Sequence, residues 1–263
     1  MNKITIVTVC YNAEETIKNT IESVLSQNYC NYEYIVIDGK STDNTLTILN
    51  DYRKGFQEKG IDYYIYSEKD NGIYDAMNKG IEHSLGDWII LMNADDSFYS
   101  SDVLTQVFDK DLTNYDVVYG DCMRNDGNGS YLLKANPVET LPKQMPFMHQ
   151  SVFVKRGLCL KYKFDLSYRL CADYNFFFTL YAEGYKFLQT DCIICNYSIS
   201  GISGKALVKA QKEVISIKKK FCTQYPITSK DRFKWKADEL IMRIKMHIPT
   251  KVLQRLRKIK NST

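Results

Sequence analysis

The feature that most constrains the fold is an alternation. Short apolar runs take turns with amphipathic helical segments, and several runs end in polar, chemically capable side chains. Ile4 to Val9 is a β-branched run leading into Tyr11-Asn12, Tyr34 to Ile37 ends at Asp38, Ile61 to Tyr66 follows, and Trp88 to Met92 ends in Asn93-Ala94-Asp95-Asp96. Between them Ile17, Ile21, Val24 and Leu25 share one helical face, as do Leu46 with Leu49 and Ile73 with Met77 and Ile81. Asn12 stands three residues before Glu15, the spacing of a capping box, and predicts that a helix opens there. Strand and helix alternating through short connections predict an α/β fold with a mostly parallel central sheet covered on both faces. Such sheets bind ligands beyond the carboxyl ends of their strands, where Tyr11, Asp38, Asp95 and Asp96 stand.

The second half is less regular. Val117 to Gly120 and Tyr131 to Lys134 read as strands, Leu141 to Gln150 with two prolines as a loop, and Asp173 to Ala182 and Ser203 to Lys220 as helices. No linker marks an independent domain before about residue 225, so 1–225 is expected to be one domain and 226–263 an extension.

The net charge of +4 conceals an asymmetry. Lys205 to Thr263 carries 17 Lys plus Arg against 4 Asp plus Glu, a net of +13, while residues 1–204 carry a net of −9. In the extension Phe233, Ala237, Leu240, Ile241, Ile244 and Ile248 fall on one helical face; Pro249 interrupts it, and Val252, Leu253, Leu256 and Ile259 resume it. Basic amphipathic helices lie on anionic membrane surfaces; a helix docked on the rest of the chain would read the same way. Nucleic acid is not expected, because no known binding module accompanies the charge. The N-terminus shows no signal peptide, and no run approaches the roughly 20 apolar residues of a membrane span. The expected place is the cytoplasm, peripheral at the inner face of the membrane. Cys192 and Cys195 lack a second pair to complete a zinc site and read as strand cysteines.

Paired carboxylates at a strand end suit Mg²⁺ or Mn²⁺, which take carboxylate oxygens and share their other positions with substrate phosphates. A solvated turn or helix cap would also carry Asp95-Asp96. The neighbouring motifs decide between these. Ile4 to Asn12, Ile35-Val36-Ile37-Asp38-Gly39-Lys40-Ser41-Thr42-Asp43-Asn44-Thr45, Asp70-Asn71-Gly72-Ile73-Tyr74-Asp75-Ala76-Met77-Asn78-Lys79-Gly80 and Gly86 to Asp96 resemble, in order and spacing, the inverting family 2 glycosyltransferases with the GT-A fold. The resemblance covers about residues 3–200 and is nearest to bacterial enzymes of O-antigen and capsular polysaccharide synthesis.

The resemblance implies a nucleotide-sugar donor, a glycan or lipid-linked acceptor, and Mn²⁺ or Mg²⁺. It places Val9, Tyr11 and Asp38 in the nucleoside pocket, Asp70 at its edge, Asn78 and Lys79 facing the diphosphate or its sugar, and Asp95 and Asp96 at the ribose and the metal. Asn93 stands where many members carry a first aspartate, and Gly39 where some carry a second. Asp173, where the family carries its base, is expected to take the acceptor proton; a plain helix cap is the alternative. His149, in a His-Gln segment, is expected at the acceptor or diphosphate, or else packed under its loop. No Q-x-x-R-W segment, P-loop or G-x-G-x-x-G fingerprint occurs. Transfer to a polyprenyl phosphate, or a non-catalytic membrane- or partner-binding module, are the other readings.

Overall fold

The computed structural model describes residues 1–125, 129–198 and 204–225, with the single residues 237 and 240. The expected amphipathic extension at 226–263 therefore lies, those two residues apart, outside the described residues. The elements run β1 (Ile4–Cys10), α1 (Ile17–Leu25), β2 (Tyr32–Asp38), α2 (Thr45–Asp51), α3 (Arg53–Glu58), β3 (Asp62–Ser67), α4 (Ile73–His83), β4 (Trp88–Leu91) and β5 (Ser97–Phe98). Then follow α5 (Val103–Phe108), β6 (Val117–Asn125), β7 (Ser130–Leu133), β8 (Val152–Lys155), α6 (Arg156–Tyr162), α7 (Ala172–Ala182), β9 (Phe187–Ser198) and α8 (Gly204–Lys220).

The strands form one sheet in the order β3-β2-β1-β4-β8-β6-β9-β5, with β7 paired to β6. β3, β2, β1 and β4 are parallel. β8 joins antiparallel to β4 and β6, and β9 runs parallel to β6. Every residue of β1 and β2 is buried, as strands covered on both faces must be. Edge strand β3 keeps alternate residues exposed. The buried Glu33 accepts hydrogen bonds from Thr5 Oγ1 (2.6 Å) and from the amides of Leu85 (2.6 Å) and Gly86 (3.1 Å), fixing the turn into β4.

Two apolar clusters cover the sheet. One packs α1 and α5 against Ile4, Ile6, Tyr34 and Ile90; the other packs α4 and α7 against Val7, Val9, Ile35 and Ile37. A Cβ at Gly80 would stand 2.3 Å from Val7 Cγ1, so α4 can lie this close to β1 only with glycine there. α7 is enclosed nearly all round, burying Tyr174, Phe176, Phe177, Phe178 and Leu180.

The capping box predicted at Asn12 does not form. α1 starts at Ile17 after Thr16, and Asn12 takes φ 48°. Its side-chain oxygen instead accepts the Thr42 amide at 2.9 Å, and its own amide donates to Ser41 Oγ at 2.8 Å. A residue that signals a helix start here ties the loop after β1 to the loop after β2. β8 and α6 fall in sequence that carried no element prediction.

Candidate active site

Side chains gather at the carboxyl ends of β1, β2 and β4. Asp38 is fully buried. Its carboxylate accepts the Ser41 amide at 3.1–3.2 Å, Ser67 Oγ at 2.6 Å and the Ser41 hydroxyl. Those bonds shape the Gly39-Lys40-Ser41 loop. Tyr11 projects with 63% of its surface exposed. A Cβ at Gly39 would lie 2.6 Å from Asp70 Oδ2 and 3.4 Å from the Tyr11 ring, so the glycine makes room for the Asp70 carboxylate beside Tyr11. Val9 is buried among the apolar residues beneath.

A second group forms where β4 ends. Asp96 is 1% exposed; its Oδ2 accepts Gln150 Nε2 at 2.9 Å and its carbonyl accepts Thr20 Oγ1 at 2.6 Å. Asp95 is half-buried. His149 lies between this segment and Asp173: Nε2 is 3.3 Å from Asn93 Nδ2, and Nδ1 is 3.6 Å from Asp173 Oδ2. Nε2 thus faces the Asn93 amide, and Nδ1 is the ring nitrogen that faces Asp173. The other Asp173 oxygen accepts the Tyr74 hydroxyl and the Tyr174 amide, each at 2.9 Å. Asp173 is thus oriented from three sides at the start of α7.

Residues 5–164 match the profile of the family described as Glycosyl transferase family 2. This chain belongs to glycosyltransferase family 2. The PGL/p-HBAD biosynthesis glycosyltransferase of Mycobacterium bovis is 33% identical over 168 residues, 63% of this chain and 64% of that protein. A second glycosyltransferase, from Mycobacterium tuberculosis, is 28% identical over 213 residues, 76% of each chain. Among solved structures, S. aureus TarS 1-349 in complex with UDP-GlcNAc superposes with a TM-score of 0.66 at 13% identity, over 95% of this chain and 77% of that one. The mannosyltransferase PcManGT from Pyrobaculum calidifontis, in complex with GDP-Man and Mn²⁺, gives 0.62 at 17% identity, over 81% and 64%. At such identities the likeness carries the fold, which is the GT-A fold expected from sequence.

Asp173 lies beyond the matched residues of this family 2 chain, and its environment acts in two directions. Burial pushes the carboxyl up. The hydrogen bond and charge of His149, the Tyr174 amide and the Tyr74 hydroxyl outweigh it, leaving the group below its ordinary range. Burial, then the Asp173 charge, pushes the Tyr74 hydroxyl far up, so it stays protonated and donates.

The loop that delivers Asp173 is fastened at several points. Asn78 is 8% exposed, and its side-chain amide bonds both ways to the Phe164 backbone, donating at 2.9 Å and accepting at 2.8 Å. Arg169 donates to the Asn71 carbonyl at 2.7 Å. Glu213, on α8, accepts the amides of Arg169 (3.0 Å), Leu170 (2.9 Å) and Cys171 (2.9 Å). Lys79 pairs with Glu68 at 3.2 Å and donates to the Lys69 carbonyl at 2.8 Å. Asn78 and Lys79, expected at the diphosphate, are engaged with the loop that leads to Asp173 and with the turn before Asp70. Tyr74, Arg169 and Glu213 had no role in the sequence reading. Tyr74 sits inside one of the quoted motifs; nothing in the sequence signals Glu213.

The residues at the end of β4 fit a divalent cation in donor chemistry. Asn93 Oδ1 is buried without a hydrogen-bond partner, and the half-buried Asp95 carboxylate is two residues on. These are hard oxygen donors. Among the described residues no group of three or more His, Cys, Asp or Glu surrounds one point. A cation there would draw its remaining ligands from a diphosphate.

Proposed function

We propose that the chain transfers a sugar from a nucleoside-diphosphate donor, with uridine the first candidate base, to a hydroxyl of a glycan or lipid-linked glycan, with inversion. The observation that carries this reading is the Asp173 carboxylate, held by His149, Tyr74 and the Tyr174 amide, with His149 reaching back to Asn93 in the Asp95-Asp96 segment. The acceptor oxygen bonds to the anomeric carbon from the face opposite the diphosphate. Its proton passes to Asp173, the bond from the anomeric carbon to the diphosphate oxygen breaks, and the nucleoside diphosphate leaves. His149 and Tyr74 keep Asp173 ionised and aimed during this step. Tyr11 supplies a face for the base, and Asp38 and Asp70 shape the loops around it. Asp95, with Asp96 and Asn93 beside it, would hold Mn²⁺ or Mg²⁺, which supplies positive charge to the leaving diphosphate. The names of two relatives, a PGL/p-HBAD biosynthesis glycosyltransferase and a putative teichuronic acid biosynthesis glycosyltransferase of Bacillus subtilis, support a place in surface-glycan synthesis. Residues 1–225 would be the transferase domain and 226–263 a basic extension that meets the anionic membrane surface.

The test is a binding and turnover panel of UDP-, GDP- and dTDP-sugars, with Mn²⁺ and with excess chelator. The expected result is selective stabilisation by one nucleotide, and metal-dependent release of its diphosphate. No nucleotide binding with or without Mn²⁺ would overturn the assignment, and full turnover in chelator would overturn the cation.

A further inference from the structure

We infer that Arg124 forms an anion subsite, for phosphate oxygens, beside the Asp95-Asp96 strand end. Strand pairing puts it there. Arg124 is opposite Tyr131 of β7 and Tyr197 of β9. On the far side of β9, Ser97 pairs with Asn196, which brings Asp96, the preceding residue, opposite Tyr197. Tyr131, Arg124, Tyr197 and Asp96 thus follow one another across neighbouring strands.

The guanidinium has an unspent donor. Its carbon lies 5.8 Å from the Tyr131 ring centroid, a cation–π contact that holds its plane. Its Nε is buried without a hydrogen-bond partner. No ion pair to Arg124 occurs among the described residues. A buried, unmatched N–H donor is costly unless a ligand satisfies it, and the guanidinium edge matches the fork of a phosphate better than a single hydroxyl. Tyr197 stands between the two, paired with Arg124 on one side and beside the Ser97 strand end that follows Asp95-Asp96 on the other. A cation at Asp95 and the guanidinium of Arg124 would then face one anion from two sides.

That anion comes from the donor's diphosphate or from a phosphate on the acceptor; only its source rests on the transferase reading. Inorganic pyrophosphate is the probe, titrated calorimetrically into the full chain as wild type, Arg124→Gln and Arg124→Lys, with uridine as the phosphate-free control. Arg124→Gln should weaken pyrophosphate by about tenfold or more. Arg124→Lys should fall between, because it keeps the charge and loses the fork. Uridine should bind all three alike. If Arg124-dependent binding persists on protein saturated with UDP and Mn²⁺, the anion belongs to the acceptor. If UDP abolishes it and Arg124→Gln weakens UDP too, it belongs to the donor. Arg124-dependent pyrophosphate binding without any UDP binding would keep the subsite and sink the nucleotide-sugar reading. Equal pyrophosphate affinity in wild type and a folded Arg124→Gln would overturn the subsite; if that variant does not fold, equal affinity in Arg124→Lys would do so.

Discussion

The two halves of the sheet present their chemistry in different ways. From β1 to β4 the strands are parallel, and Tyr11, Asp38 and Asp95 stand at or just past a strand's carboxyl end. From β5 onward the pairing is mixed, and β6 and β9 slip register between Tyr119 and Cys122. Here His149 comes from a short 3-10 turn and Asp173 from a helix start. In the first half the fold places the residues; in the second, bonds between distant side chains and backbone do. The lesson is that donor-side substitutions should disturb binding, whereas base-side substitutions should disturb turnover.

The largest expected effect tests that division directly. Asp173→Asn keeps the shape but loses the ionisable group, and hydroxyl glycosylation should fall by about 10²-fold or more. Donor affinity should stay within a few-fold, so the loss appears in kcat rather than in donor KM. Equal losses in affinity and turnover would dissolve the division, and near-normal turnover would remove Asp173 from the reaction.

A smaller effect is expected at Asn78, which the motif resemblance put on the donor side and which the hydrogen bonds tie to Phe164, in the loop that leads to Asp173. Asn78→Ala leaves the buried Phe164 amide and carbonyl without their partners. It should cost about 2–4 kcal/mol of stability by urea unfolding, since each stranded group costs about 1–3 kcal/mol, and it should lower kcat through the base loop. Unchanged stability with collapsed donor affinity would return Asn78 to the diphosphate.

Legibility followed the same division. The strands around Ile6, Ile35 and Ile90 could be read because period and burial follow from local sequence. Asp38 and Asp95 could be singled out because they close local apolar runs, and Asp173 because the family resemblance expects the base at its position. What escaped were pairings across long separations. His149 and Asp173 were each picked out, but the 23 positions between them hid their contact. Asn12 carried a helix-start signal, yet the nearby Thr42 amide competed for its side chain more strongly. Glu213 looks like any glutamate on a basic helix until the fold brings three backbone amides to it.

The smallest expected effect concerns the bond that joins the halves, from Tyr74 on α4 to Asp173 on α7. Burial raises the Asp173 carboxyl, and His149, the Tyr174 amide and Tyr74 together bring it below its ordinary range. A folded-state pKa below the unfolded one means that the unfolded chain binds more protons as acid is added. The stability so gained is complete above the unfolded carboxyl pKa of about 3.9, and is lost as pH falls through the folded value. Tyr74→Phe deletes one of the lowering bonds and adds no group that titrates in acid. It should therefore be less stable than wild type by about 1–2 kcal/mol at neutral pH. The gap should narrow as pH falls from the variant's Asp173 pKa towards the lower one of the wild type, and be smallest where the carboxyl is protonated in both proteins. It should not close entirely, because the one hydroxyl proton of Tyr74 can turn to the Leu170 carbonyl, 3.1 Å away, once Asp173 no longer takes it. Turnover should shift with it: with Asp173 less acidic, the acid limb of kcat should move to higher pH. Thermal unfolding and kcat followed across pH 3–7 read both effects. A gap of constant size through that range would make Tyr74 a packing residue and leave His149 and the Tyr174 amide to hold the base.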